Sequence, residues 1–290
     1  MTDLILQSLY SGVLVGGAYA LVALGLALVF GAMRIINLAH GELVLLSAYI
    51  AYSFETRLGI NPVFAIPAAI PVVCAAAGAA WFLVSKIARD RELNSLILTY
   101  GLGIILTNGV LLIWGADVRS TNSAWLQDSV MLGNVLSMRS ELLSFGISVV
   151  LMGALWWWLS HSWYGRAVRA ISSNRDAARL MGINPKKTEL VSFLVAGVLA
   201  SCAGVAMYAS SAIQPSIGEA MTVKAFIITV LAGVGSIPGV LLGAMLLGIT
   251  EALTVTLYSS ALQELAGMLL FLLVLYVLPN GLFGVAWRRG

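Results

Sequence analysis

Asn37, His40 and Glu42 crowd an amide, an imidazole and a carboxylate into the short stretch RIINLAHGE (34–42), between two apolar runs. Such groups can hold a polar solute by hydrogen bonds or latch a bend in the chain. Polar and charged side chains at membrane depth are costly and turn toward a cavity or a protein partner. Asn37, His40 and Glu42 are therefore candidates for the lining of a route through a helix bundle. They also fit as satisfied helix-end groups near an interface, with Gly41 permitting the bend; that reading suits His40 equally well and Glu42 better. A second stretch, IQPSIGE (213–219), repeats the order amide, Gly-Glu, apolar run, and adds Gln214 and Glu219 to the candidate lining. Paired interrupted segments of opposite orientation mark an inverted repeat in a transporter. Two matching dipeptides also arise by chance.

Reactive constellations are otherwise absent from the sequence. The histidines are His40 and His161 alone, and no HExxH, GxSxG or cysteine cluster occurs. No metal, cofactor or catalytic residue is expected, and the chain reads as a non-enzyme. Without a GxxxxGK[ST] phosphate loop it does not bind ATP by that route, so energy from hydrolysis must come from another polypeptide. Cys74 and Cys202 lie inside apolar runs without metal-ligand spacing, which marks them as small core residues.

A basic insert, GRAVRAISSNRDAARLMGINPKK (165–187), carries the other informative pattern. Ser173 can cap a helix in which Asp176 sits near the positive end of the dipole, and Gly182 and Pro185 stop it. About two turns fit between those signals, too few to be stable alone in water. Ala177, Leu180 and Met181 share one face, and Arg175 and Arg179 lie one turn apart on another. An apolar knob ringed by arginines suits a protein groove. A basic amphipathic helix on anionic lipid headgroups accounts for the charge equally well.

These segments must be positioned by membrane helices. Of the 290 residues, 60% are hydrophobic and only 10% charged, and the mean hydropathy is +0.96; soluble domains carry about a quarter charged residues. The net charge of +3 comes from basic residues clustered in a few loops, which points to no nucleic-acid partner. The first residues lack a basic n-region, and the apolar run after them is too long for a cleaved signal, so it is expected to remain as a span. Windows near 4–30, 41–54, 62–85, 93–114, 142–159, 188–210, 223–234, 239–257 and 265–278 meet or approach the ~20 residues that a crossing needs. The expected fold is all-α: a polytopic bundle of eight or nine spans with interrupted helices, one domain over residues 1–290, and a cytoplasmic loop near 161–187.

Lysines and arginines collect at 86–91, 166–187 and 288–289. The positive-inside rule then puts these three places in the cytoplasm, with the carboxyl terminus inside, the amino terminus outside, and a parity of nine crossings. No ionisable residue stands out clearly at the centre of a span. Gly235, Gly239 and Gly243 recur at intervals of four and share a helix face if the helix runs through Pro238, a pattern for close packing within the chain.

Four ordered blocks carry a resemblance to a known family: GGAYALVALGLALVFGAMRIINLAHGE, GRAVRAISSNRDAARLMGIN, KAFIITVLAGVGSIPGVLLGAMLLGITEAL and LPNGLFG. With them the chain resembles, nearly end to end, the permease subunits of bacterial ABC importers for branched-chain amino acids, the LivH type. The resemblance implies a coupling segment of the pattern Glu-Ala-Ala-x-x-x-Gly, matched here by Asp176, Ala177, Ala178 and Gly182, with aspartate in place of glutamate. Leu180 and Met181, flanked by Arg166 and Arg169, would then face an ATPase groove rather than lipid. Leu231-Ala232-Gly233 departs from the Leu-Gly-Gly common among relatives, an added methyl with no expected effect on function. It further implies two ATP-binding subunits, a second LivM-like permease chain, a periplasmic solute-binding protein that supplies most selectivity, and a place in the bacterial inner membrane. The cargo would be an amino acid, with Asn37, His40 and Gln214 as polar lining. Permeases for urea and short amides look similar around NLAHGE and remain open as an alternative. An ATPase-independent secondary transporter is a second one; it predicts transport by this chain alone.

Overall fold

A computed structural model describes residues 2–87, 89–132, 135–233 and 235–283. Arg288 and Arg289, and with them the expected cytoplasmic carboxyl terminus, lie outside the described residues. The chain runs through α1 (Thr2–Met33), α2 (His40–Leu58), α3 (Ile66–Ser85) and α4 (Arg91–Trp114), then through a short α5 (Ala124–Gln127) and an antiparallel hairpin, β1 (Ser129–Leu132) with β2 (Val135–Met138). It continues through α6 (Arg139–His161), the surface helices α7 (Trp163–Ser173) and α8 (Arg175–Leu180), and then α9 (Pro185–Ser210), α10 (Ile217–Ala232), α11 (Ile237–Leu257) and α12 (Gln263–Val277). The hairpin corrects the all-α expectation in one small place. Its strands are four residues each, paired from Ser129 with Met138 to Leu132 with Val135.

Among the described residues, seven helical segments are long and apolar enough to cross a bilayer, so the chain is a multi-pass membrane protein. The two bundle helices outside that set are the interrupted ones. α10 has 16 residues, about 24 Å at ~1.5 Å per residue, less than the ~30 Å hydrocarbon core. α2 has 19 residues, but Glu42, Glu55 and Arg57 lower its hydropathy.

Side chains at the starts fix several boundaries. Asn184 Oδ1 accepts from Lys187 N at 3.3 Å with Pro185 in the first turn of α9, and Ser236 Oγ accepts from Gly239 N at 3.2 Å ahead of α11. The second case corrects the expected glycine face. α11 starts at Ile237 with Pro238 in its first turn, so the helix stops short of Gly235, which stands in the preceding turn with φ +85°. Gly239 and Gly243 do pack together, both against α10: a Cβ on Gly239 would stand 2.6 Å from the Ala232 carbonyl, and one on Gly243 would stand 3.3 Å from that of Ile228.

α1 and α9 form the buried centre, whereas α3, α4, α6 and α12 turn large apolar side chains such as Phe82, Ile105, Val150 and Tyr276 outward. Glycine contacts fix the directions. Gly12 meets Ile249 and Gly16 meets Met245, so α1 and α11 run antiparallel; Gly197 meets Cys74 while Leu194 reaches Gly78, so α9 and α3 do too. α2 runs alongside α9 in the same direction, with Ser47 Oγ donating to the Ser201 carbonyl at 2.7 Å and Glu55 bonded to the Tyr208 hydroxyl at the far end. Bilayer helices gain little from burying apolar surface against each other, so small residues that let backbones approach are the main means of association.

Candidate functional site

The two short helices begin inside the bundle and meet at their starts. His40 Nε2 donates to the Val22 carbonyl at 2.9 Å, well before α1 ends, so residues 34–39 carry the chain back into the protein. A Cβ on Gly41 would collide with the Gly218 carbonyl, and one on Gly218 would collide with the Glu42 carboxylate. Thr222 ties the pair: its Oγ1 accepts from Gly41 N at 2.9 Å and lies 3.3 Å from the Leu38 carbonyl. From the α4 side, Thr99 Oγ1 accepts from Leu38 N at 3.1 Å, and Asn37 Oδ1 closes the turn onto Ala39 N at 3.2 Å. The two GlyGlu segments noted in the sequence are thus in direct contact.

Asn37, His40 and Glu42 are buried together at this crossing. His40 Nδ1 and Glu42 Oε2 have no hydrogen-bond partner among the described residues. Each such buried group costs about 1–3 kcal/mol unless something satisfies it. The other two expected lining residues lie apart. Gln214 is exposed in the connection before α10, and Glu219 is exposed on the wall of a cavity of about 270 Å³ between α10, α11 and α12.

That cavity exposes a cluster missing from the sequence reading. Lys224 Nζ lies 2.7 Å from Glu251 Oε2 and 2.8 Å from the Tyr19 hydroxyl, 4.4 Å from the centroid of that ring. Tyr19 Oη and Gln263 Nε2 donate to the same carboxylate oxygen, each at 2.8 Å. Four helices therefore share one ion-paired network. Lys224 and Glu251 each sit singly in a strongly apolar run, so window averages hid them; a residue-by-residue search for charges inside spans finds them.

The basic loop forms a third candidate surface. Ser162 Oγ caps α7 through Gly165 N at 3.0 Å. The cap of α8 is Asn174 rather than Ser173: its Oδ1 accepts from Asp176 N at 3.1 Å and Ala177 N at 3.0 Å, because Ser173 is still the last residue of α7. Arg175 shares a surface groove with Arg179 yet is only partly exposed. It turns inward to Glu189 Oε1 at 2.8 Å, and Arg91 grips the same buried carboxylate with both nitrogens at 3.0 and 2.9 Å. Tyr164 lies against α9, 3.1 Å from the Thr188 carbonyl, and burial pushes its phenol up to about 12. So braced, α8 buries Ala178 and leaves Leu180 89% and Met181 82% exposed. Asp176, Ala177 and Arg166 are also exposed, Arg169 Nη1 donates to the Leu159 carbonyl at 3.0 Å, and Gly182 ends the helix with φ +81°. No group of three metal-binding side chains occurs among the described residues.

Known proteins match this architecture along nearly its full length. Residues 8–278 match the family described as the permease component of the branched-chain amino acid transport system. The high-affinity branched-chain amino acid transport system permease protein LivH of Salmonella typhimurium is 31% identical over 96% of this chain and 95% of that protein. The corresponding permease protein BraD of Pseudomonas aeruginosa is 32% identical over the same shares. Among solved structures, PsaBC from Streptococcus pneumoniae in complex with Fab aligns with a TM-score of 0.50 at 11% identity, covering 93% of this chain and 92% of that chain, a likeness of fold alone.

Proposed function

The chain belongs to the branched-chain amino acid transport permease family, and from that membership we propose that it is the membrane-spanning, non-catalytic subunit of an ATP-driven importer carrying branched-chain amino acids into the cytoplasm. Two ATP-binding subunits, a second permease chain and a periplasmic solute-binding protein complete the assembly in the bacterial inner membrane. The observation that carries the reading is α8. Two large apolar side chains stand almost fully exposed on a helix too short to hold itself, braced from behind by the Arg91–Glu189–Arg175 cluster. Solvent alone gives no reason for that arrangement; a groove on a nucleotide-hydrolysing partner does.

In this reading α8 is a lever. Leu180 and Met181 enter the groove, Asp176 and Ala177 line its edge, Arg166 and Arg169 supply charge nearby, and Ala178 and Gly182 fix the helix on the permease. Motion passes through Glu189 into α9, which packs on α1, α2 and α3. The Lys224–Glu251 pair, of a kind a secondary transporter would also carry, is held by four helices and is compatible with an ATP-driven path. Nine crossings, with the amino terminus outside and the carboxyl terminus inside, agree with the antiparallel α1–α11 and α3–α9 pairs and the parallel α2–α9 pair. Asn37, His40 and Glu42 shape the point where α2 and α10 meet, and Gly239 and Gly243 let α11 close on α10.

Reconstitution into vesicles tests the proposal. The full assembly is expected to accumulate leucine with ATP on the cytoplasmic face, more strongly than urea or acetamide, and this chain alone to accumulate none. Uptake of amides in preference to leucine would move the cargo; uptake by the chain alone would remove the ATP-driven mechanism.

A further inference from the structure

The cavity beside α10 has two chemically distinct parts. Its inner wall is the ion-paired network: Lys224 with its side chain 12% exposed, Glu251 buried at 2%, and Gly267 leaving the wall open. A Cβ on Gly267 would stand 3.3 Å from Glu251 Oε1 and 3.0 Å from Leu247 Cδ1, so a larger residue there presses on the network and narrows the cavity. Its mouth carries Glu219 and Glu264, exposed carboxylates that make no ion pair among the described residues. The apolar surfaces of Val223, Ile227 and Met268 line the same cavity.

Two acidic groups stand at the entrance, and deeper in, Lys224 donates to Glu251 and Tyr19, which leaves the third hydrogen of its ammonium for a ligand. A solute that matches this order has a cationic group outermost, an anionic group inward, and an apolar body between the helices. We propose that this cavity is a binding site for an apolar α-amino acid as a zwitterion: its ammonium lies between Glu219 and Glu264, its carboxylate points to Lys224, and its side chain rests on Val223, Ile227 and Met268. Low local dielectric strengthens the carboxylate contact at the part-buried Lys224 relative to water. Tyr19, whose hydroxyl belongs to the network, also lines a neighbouring cavity of about 240 Å³ between α1, α6, α9 and α10. The network is therefore a wall common to both chambers, and loosening Lys224 from Tyr19 when it takes a carboxylate opens one to the other. This inference rests on the reading of the chain as an amino acid permease.

The test uses the whole assembly in membrane vesicles, with Met268→Cys labelled by a soluble thiol reagent and the wild-type chain, bearing Cys74 and Cys202, as the blank. Millimolar leucine is expected to slow labelling at least threefold, whereas leucinol, without the carboxylate, and 4-methylpentanoate, without the ammonium, leave it unchanged. Adding Glu264→Gln, an exposed change without a packing role, is expected to raise the leucine concentration for half protection about tenfold. Equal protection by leucinol makes this a plain cation site and overturns the proposal, as does absence of protection by leucine while the wild-type assembly imports it. If the wild-type assembly imports no leucine, the permease reading fails instead.

Discussion

Gly41 and Gly218 leave no room for a methyl group where α2 and α10 meet. Overpacking a well-packed site costs about 1–3 kcal/mol, so Gly41→Ala or Gly218→Ala is expected to lower the thermal midpoint of the purified chain by several degrees. Gly101→Ala on α4, with nothing within 4 Å, leaves it unchanged or slightly higher, since alanine favours helix by roughly 0.5–1 kcal/mol. A matching fall in the two crossing variants and the α4 control would remove the crossing as the critical contact. The sequence made the Gly-Glu pairs visible as an echo, and their contact gives that echo a physical cause. It did not reveal that Glu42 packs on Gly218, because spacing along a chain carries no information about which helix lies opposite. Lys224 and Glu251 were legible as letters yet lost in apolar averages, and their partners Tyr19 and Gln263 are residues of ordinary interfacial type.

At the scale of the element, α8 stands or falls with its bracing. Glu189→Gln removes the charge that holds Arg91 and Arg175, and breaking a buried pair from one side costs about 3–5 kcal/mol. We expect recovery of the ATP-binding subunits with the tagged chain to drop at least tenfold, with the chain itself still inserted; unchanged co-recovery would disconnect the cluster from docking. Ala178→Glu forces a carboxylate into a buried position, and Gly182→Val puts a β-branched residue at φ +81°, so both are expected to abolish ATP-driven uptake. Normal uptake in either variant refutes the lever. The sequence carried this helix well: its stop at Gly182 and its exposed Leu180 and Met181 follow from turn chemistry and 3.6-residue spacing. The cap moved by one residue because Ser173 completes α7. Arg175 turned inward because its partner Glu189 lies beyond Pro185 in sequence, outside any local window.

For the molecule as a whole, hydropathy delivered the long spans and also marked α2 and α10, where length and polarity compromise each other and the count of eight or nine crossings stayed open. Nine crossings predict that single cysteines at Leu58, Asp117 and Tyr258 react with a membrane-impermeant thiol reagent from outside intact cells, whereas one at Lys86 does not. Leu58 and Lys86 reacting from the same side would take one crossing out of the topology. The proposed coupling requires α8 to face the cytoplasm and to seat in a nucleotide-hydrolysing partner, and one cysteine addresses both. Leu180→Cys in the assembled complex, paired with cysteines introduced along the groove of the ATP-binding subunit, is expected to form a disulfide-linked adduct in native membranes and to resist impermeant reagent added outside. Free labelling of that cysteine from the periplasm, with no adduct at any groove position, would contradict the account.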